Sequence, residues 1–244
     1  MIRVGTYNIW HGGDYPHKMA TGEETIDLSL CAKGIRDEKI DICGMNEVRD
    51  MRPVGGDDQP VEIAKLIGGY YSAFGHATDL ENGYHYGNAM VSRFPVLSSR
   101  TIPLVVPEEK RDPTRFYEPR ALLITEVDTP EGLLTFCSVH FGLVKVEWDV
   151  AVENILKFIP TVKGALVLTG DFNLEPNEEH YRRIRAVLQD AAEGREMLTF
   201  PSEKPIKRID YIFVNDKCRV YDCRVAHVQY SDHCPVFADI ELCR

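Results

Sequence analysis

With 244 residues, 44% of them hydrophobic, the chain can bury a large core, and strand-like runs spread evenly along it favour one domain, 1–244. A formal net charge of -10 argues against strong steering toward nucleic acid, which rests on clustered Lys and Arg. It leaves open a phosphate substrate met by carboxylates gathered around a cation. No run approaches the roughly 18 apolar residues of a membrane span, and Met1 to Asn8 lacks the long apolar stretch of a secretory signal. The expectation is therefore a cytoplasmic protein without membrane insertion.

In chain order, Ile2 to Trp10 reads as a strand and Thr25 to Lys39 as a helix, with apolar residues at Ile26, Leu28, Leu30 and Ile35. Ile40 to Val48 is a strand ending in Asn46-Glu47, and Pro60 to Ile67 a short helix with Pro in its first turn. Tyr70 to Phe74, Asn88 to Arg93 and Val96 to Leu104 are strands separated by Gly and Pro. Arg120 to Val127 and Leu133 to Phe141 flank a turn of hairpin composition, Asp128-Thr129-Pro130-Glu131-Gly132. Val146 to Ile159 is a helix, Ala165 to Thr169 a short strand, and Glu178 to Leu188 a helix. Ile209 to Val214, Arg219 to Val228 and Val236 to Leu242 are the last strands. Met51 to Gln59 and Pro107 to Pro119 read as surface loops. Two sheets packed face to face, with helices outside, fit this order better than strict βαβ alternation.

Polar residues recur where the apolar strands end. Asn8 lies late in the first strand, Glu47 closes the second, and His140 closes Thr135 to Val139. Asp171 and Asn173 follow Leu166 to Gly170, Asp210 interrupts Ile209 to Phe213, and Asp232 and His233 precede Cys234 to Phe237. If these ends share one edge of packed sheets, the side chains converge. Singly, each has a plain structural reading. Gly170-Asp171-Phe172-Asn173 can be a turn, since Asp and Asn bond their own backbone. Asp210 is harder to dismiss, because a carboxylate in an apolar strand must face solvent or find a partner. The seven cysteines are odd in number and lack C-x-x-C spacing, so neither a zinc ribbon nor a thioredoxin-like motif is supported. Cys43 and Cys137 read as small core residues.

As an ordered set these motifs resemble the endonuclease/exonuclease/phosphatase superfamily, the deoxyribonuclease-I-like group. They are Thr6-Tyr7-Asn8-Ile9-Trp10, Asn46-Glu47-Val48, Gly87-Asn88-Ala89, Ser138-Val139-His140-Phe141, Gly170-Asp171-Phe172-Asn173, Arg208-Ile209-Asp210-Tyr211-Ile212 and Ser231-Asp232-His233-Cys234-Pro235. The resemblance runs from residue 6 to residue 235. It implies an α/β fold, a four-layer α/β sandwich of two mainly antiparallel sheets packed face to face with helices outside. It also implies a divalent cation, Mg²⁺ or Mn²⁺, and hydrolysis of a phosphate ester.

Carried over residue by residue, the resemblance makes Glu47 the principal metal ligand, with Asn8 beside it and Asp232 the other candidate. Asp171 would orient or deprotonate the attacking water, and Asn173 would bind a phosphoryl oxygen. His233 would donate to developing charge, with Asp210 holding its imidazole and raising its pKa. His140 would be a second phosphate-side histidine. Asn88 and Arg120 would bind substrate, although a salt bridge suits Arg120 equally. One departure stands out: Tyr84 to Ala89 holds no carboxylate to support His140. His11, His76, Tyr84, His85 and Tyr86 are expected to line the pocket or to sit in solvated loops.

The favoured substrate class is a small or lipid-headgroup phosphate ester. The alternatives are a DNA endonuclease, exonuclease or abasic-site nuclease of the same fold, and a binding module. A duplex enzyme needs basic, aromatic-bearing loops, whereas Glu108 to Asp112 mixes signs and no basic stripe is evident. The full set of carboxylates together with His233 argues against a site reduced to binding. Oligomeric state is not legible.

Overall fold

The central strands are apolar on both faces and the edge strands are not, and this difference sets the layering. In the computed structural model, which describes residues 1–243, the chain begins with β1 (Ile2–Asn8), α1 (Tyr15–Thr21), α2 (Leu28–Asp37), β2 (Ile42–Asp50) and α3 (Gln59–Leu66). It continues through β3 (Tyr71–Asp79), β4 (His85–Ser92), β5 (Val96–Leu104), β6 (Arg120–Thr129), β7 (Gly132–His140) and α4 (Lys145–Phe158). It ends with β8 (Ala165–Asp171), α5 (Glu179–Arg185), β9 (Gln189–Asp190), β10 (Asp210–Val214), β11 (Cys218–Val225) and β12 (Val236–Leu242).

Two six-stranded sheets result, in the orders β11-β12-β1-β2-β4-β3 and β5-β6-β7-β8-β10-β9. Each has one parallel pair at its centre, β1 with β2 and β7 with β8, and is otherwise antiparallel. A helix bridges each parallel pair, as a crossover requires. β8 and β10 are buried along their whole length, as strands covered on both faces must be.

Three apolar layers define a four-layer sandwich. Val4, Ile42, Leu123, Phe136, Val167 and Ile212 fill the space between the sheets. Outside the second sheet, Leu122, Val139, Leu168 and Phe213 pack with Ile155 of α4 and Ile184 of α5. Outside the first, Tyr7, Cys43 and Met45 pack with Ile35 of α2 and Ile63 of α3.

The differences from the sequence reading are local. The first strand stops at Asn8 rather than Trp10, because Trp10 and His11 take left-handed φ values of 44° and 48°. Helix α1 was not expected; Asp14 caps it by accepting from the His17 amide, and Pro16 fits its first turn. β3 runs on to Asp79, so His76 lies in a strand and not a loop. The helix expected to reach Leu188 ends at Arg185 and gives way to edge strand β9. No helix among the described residues is long and apolar enough to cross a membrane.

Candidate active site

The C-terminal ends of β1, β2, β7 and β8 meet at one end of the sandwich. Asn8 pairs with Asn46 in the first sheet and His140 with Asp171 in the second, while Asp210 of β10 lies opposite Asp171. Asn46 ties the sheets together. Its Nδ2 donates to Asn88 Oδ1 at 2.8 Å and to the Val139 carbonyl at 2.9 Å, and its Oδ1 accepts from the Asp171 amide at 2.9 Å. The sequence reading placed Asn46 in a motif without a role.

Backbone geometry turns the acidic residues into the space so formed. The β2–β4 register shifts between Met45 and Val48, and Glu47 within that bulge has a φ of 58°. Left-handed backbone is unfavourable for Glu, and bulges recur beside active sites because they re-aim side chains. Gly170 precedes Asp171 with a φ of 153°, and a Cβ there would come within 1.8 Å of the Val139 carbonyl oxygen. Only glycine lets β8 run this close to β7 at that point.

Asp171 is the hub. Its Oδ1 accepts from the Asn173 amide at 2.9 Å and its Oδ2 from Asn8 Nδ2 at 3.1 Å. The same Oδ2 lies 3.5 Å from His140 Nε2 and 3.6 Å from His233 Nε2. Burial pushes its pKa up to about 7, and the nearby Asp210 charge adds to the rise while His233 opposes it. Asp210 is 1% exposed; its Oδ2 accepts from Thr199 Oγ1 at 2.5 Å and from His233 Nδ1 at 2.9 Å. Burial works against a charged His233, but Asp210 and then Asp171 outweigh it, and the imidazole is pushed up to about 10. Phe200 packs on this ring at 4.8 Å between centroids. Thr199 and Phe200 lie in a stretch without periodicity, and nothing in their spacing linked them to Asp210 or His233.

His140 is held in the opposite state. Arg120 Nη1 lies 2.9 Å from His140 Nδ1 and 3.0 Å from Glu118 Oε1. A guanidinium can only donate, so Nδ1 accepts and the proton of the neutral ring sits on Nε2, facing the site. Burial first, then the Arg120 charge, holds its pKa well below the ordinary histidine range. Arg120 is buried behind His140, where a carboxylate was missing from the sequence, and Asn88 is committed to Asn46 and to the Ala121 carbonyl. Both stand one layer behind the open site. Asn173, at a φ of 49°, donates through Nδ2 to the Phe141 carbonyl, and its Nδ2 lies 3.2 Å from His140 Nε2.

The ordered motifs and this geometry coincide with a known family. Residues 5–233 match the Endonuclease/Exonuclease/phosphatase family. The chain belongs to this family. It is 26% identical over 171 residues to the uncharacterized protein YbhP of Escherichia coli K12, covering 65% of this chain and 64% of that protein. The chain thus matches just under two thirds of that relative's length. Among solved structures, an endonuclease/exonuclease/phosphatase from Beutenbergia cavernae superposes with a TM-score of 0.79 at 24% identity, covering 99% of this chain and 72% of that one. The mannosyl-6-phosphatase Bt3783 of Bacteroides thetaiotaomicron gives 0.76 at 20% identity, covering 98% and 99%.

Members of the family generally use divalent metals, and two groups of residues here can be weighed as ligands. Asp171, Asp210 and His233 offer ligand atoms within 4.8 Å of one another. They are largely committed to each other, to Asn8, to Asn173 and to Thr199. Glu47 and Asp232 are freer. Each carboxylate receives one side-chain hydrogen bond, from Asn8 at 3.0 Å and from Ser231 Oγ at 3.1 Å respectively. Neither forms an ion pair among the described residues. Burial raises the Asp232 pKa and the Glu47 charge adds to it, with His233 opposing. Two neighbouring carboxylates that feel each other's charge and form no ion pair suit a hard cation with oxygen ligands. Asn8 turns its amide nitrogen to both Glu47 and Asp171, and its carbonyl oxygen accepts from the Trp10 amide at 3.1 Å.

Proposed function

We propose that this chain is a divalent-metal-dependent hydrolase of phosphate esters, a phosphodiesterase or phosphatase, with residues 1–244 as one catalytic domain. The observation that carries the reading is the placement of Asp171 Oδ2 between a histidine held neutral and a histidine held cationic. Phosphate ester hydrolysis needs a base for water and donors for the charge that grows on the phosphoryl oxygens.

Asp171, with its pKa near neutrality, orients and deprotonates the attacking water. His233, protonated and steadied by Asp210, donates from Nε2 to a phosphoryl oxygen. His140 donates from Nε2 as a neutral ring, with Arg120 fixing its tautomer, and Asn173 binds a further phosphoryl oxygen. Glu47 and Asp232 hold the cation, Mg²⁺ or Mn²⁺, with Asn8 orienting Glu47. When bound, the cation supplies Lewis-acid stabilisation of phosphoryl and leaving oxygens.

A compact substrate is favoured over duplex DNA. Cavities of about 390 Å³ and 450 Å³ flank the site. Their walls carry Glu175, Glu178, Asp79, Glu81 and Glu118 against Lys207, Arg49 and the cationic His233. Walls of this sign repel a polyanion, which needs several cations along its track. The fold shared with a mannosyl-6-phosphatase makes sugar phosphates the first compounds to try.

The test is a panel of plasmid, abasic duplex, sugar phosphates, lipid-headgroup phosphates and a bis-aryl phosphodiester, in Mg²⁺ and in Mn²⁺, at two salt levels. Turnover of a small ester with shallow salt dependence is expected. Efficient DNA cleavage at moderate salt, with negligible turnover of every small ester, would promote the nuclease reading. Metal-independent turnover would refute the assignment of Glu47 and Asp232.

A further inference from the structure

Away from the catalytic carboxylates, two histidines and an aspartate meet on the β3–β4 hairpin. His76 Nε2 is 2.8 Å from Asp79 Oδ1, and His85 Nε2 is 3.5 Å from the same oxygen. One ligand atom from each lies within 4.8 Å of the others. The proposed mechanism uses none of the three.

Regular strand pairing would not bring them together. Residues 76 and 79 are three apart, and in an unbroken strand they point to opposite faces. The pairing shifts between His76 and Thr78: His76 faces Gly87 while Thr78 faces Tyr86, so Ala77 is an extra residue. A bulge of this kind re-aims the side chains before it. It carries His76 to the face of Asp79, which pairs directly with His85. Gly87 permits the bulge, since a Cβ there would lie 2.1 Å from the Gly75 carbonyl oxygen and 3.0 Å from the Ala77 nitrogen. The third strand contributes as well. His85 pairs with Asp50 of β2, and its Nδ1 lies 3.8 Å from Asp50 Oδ2. Asp50 itself is held by Arg52 at 2.7 Å and 2.8 Å, so it adds a fixed negative charge behind His85 rather than a hydrogen bond.

We propose that His76, Asp79 and His85 form a second, peripheral cation site for a first-row transition dication, Zn²⁺ foremost. Two imidazoles and one carboxylate suit Zn²⁺, Co²⁺ or Ni²⁺ rather than Mg²⁺. Bonds of about 2.0–2.1 Å at tetrahedral angles set ligand atoms roughly 3.3 Å apart. The separations of 2.8 Å and 3.5 Å bracket that value. Three protein ligands leave one position for water. Asp79 also forms part of the wall of the 450 Å³ cavity, together with Arg49, Tyr86 and Glu118. A cation here offsets the Asp79 charge in that wall and pins the hairpin through both of its strands.

The experiment is Zn²⁺ titration of the full-length protein by calorimetry with Mg²⁺ in excess. Wild type, Glu47→Gln, Asp79→Asn and the double variant His76→Ala/His85→Ala are compared, with circular dichroism confirming that each is folded. Wild type and Glu47→Gln should each bind one Zn²⁺ per chain at this site. The double variant should lose about 100-fold or more in affinity, and the isosteric Asp79→Asn about 10-fold. Co²⁺ should shift the His76 and His85 ring resonances paramagnetically. Three results each overturn the proposal: equal Zn²⁺ affinity in wild type and the double variant, loss of the Zn²⁺ on Glu47→Gln alone, or no Zn²⁺ bound by wild type.

Discussion

Asp210→Asn removes the charge that holds His233 as a cation and keeps the side chain's shape. In wild type the imidazole is pushed up to about 10, against burial, chiefly by Asp210 and then by Asp171. The rise from 6.5 to about 10 favours the charged form. At pH 7 only about one ring in a thousand is then neutral. With Asp210 neutralised, burial is opposed chiefly by Asp171, and the ring's pKa falls. Fewer rings are then charged at alkaline pH, so kcat/KM should fall at pH 8, by about 10-fold or more, and the deficit against wild type should shrink as pH is lowered. Two assays follow: NMR titration of the His233 ring in metal-free protein, and the pH–rate profile with the best substrate from the panel. The raised His233 pKa contributes stability that is fully present below about 6.5 and lost as pH rises through about 10. The variant's deficit should therefore be largest near pH 6 and narrow above pH 9. His233→Ala should be at least as severe, and the double variant little worse than His233→Ala alone. An unchanged His233 titration, or fully multiplicative losses in the double variant, would refute the paired role.

Three further outcomes are expected. Glu47→Gln should weaken Mg²⁺ or Mn²⁺ binding about 10-fold or more by calorimetry with an unchanged circular dichroism spectrum; equal affinity would remove Glu47 from the metal site. Metal-free wild type should lose stability as pH rises from about 4 through about 7, because folding raises the Asp171 pKa from 3.8 to about 7. Asp171→Asn should flatten that part of the melting curve against pH while abolishing turnover, and an unaltered slope would contradict the shift. Gly170→Ala should cost about 3 kcal/mol or more in urea unfolding, since its Cβ would collide with the Val139 carbonyl at a φ reserved for glycine. A wild-type midpoint would contradict that close approach.

The sequence by itself determined the layering and the candidate site's acidic members. Runs apolar on both faces could only be central strands, and the polar residues closing them could only gather where those strands end together. Asp210 in an apolar strand demanded a partner, and His233 is that partner. The ordered motifs fixed the family because their spacing reflects the same sheet order. What the pattern could not carry were contacts between residues distant in sequence that have no shared period. Thr199 reaches Asp210 from a loop without periodicity, and Asn46 braces the second sheet from a position that reads as one more polar strand end. Arg120 opens a strand in the sequence and could equally have faced substrate or solvent. Only the antiparallel register of β6 on β7 sets it behind His140, where a cation, and not a carboxylate, fixes the ring's tautomer. The single extra residue at Ala77 is likewise invisible to a period of two, yet it decides which face His76 shares. Local periodicity fixes which side chains leave the core, whereas bulges, register and sheet-to-sheet contact fix what each of them meets.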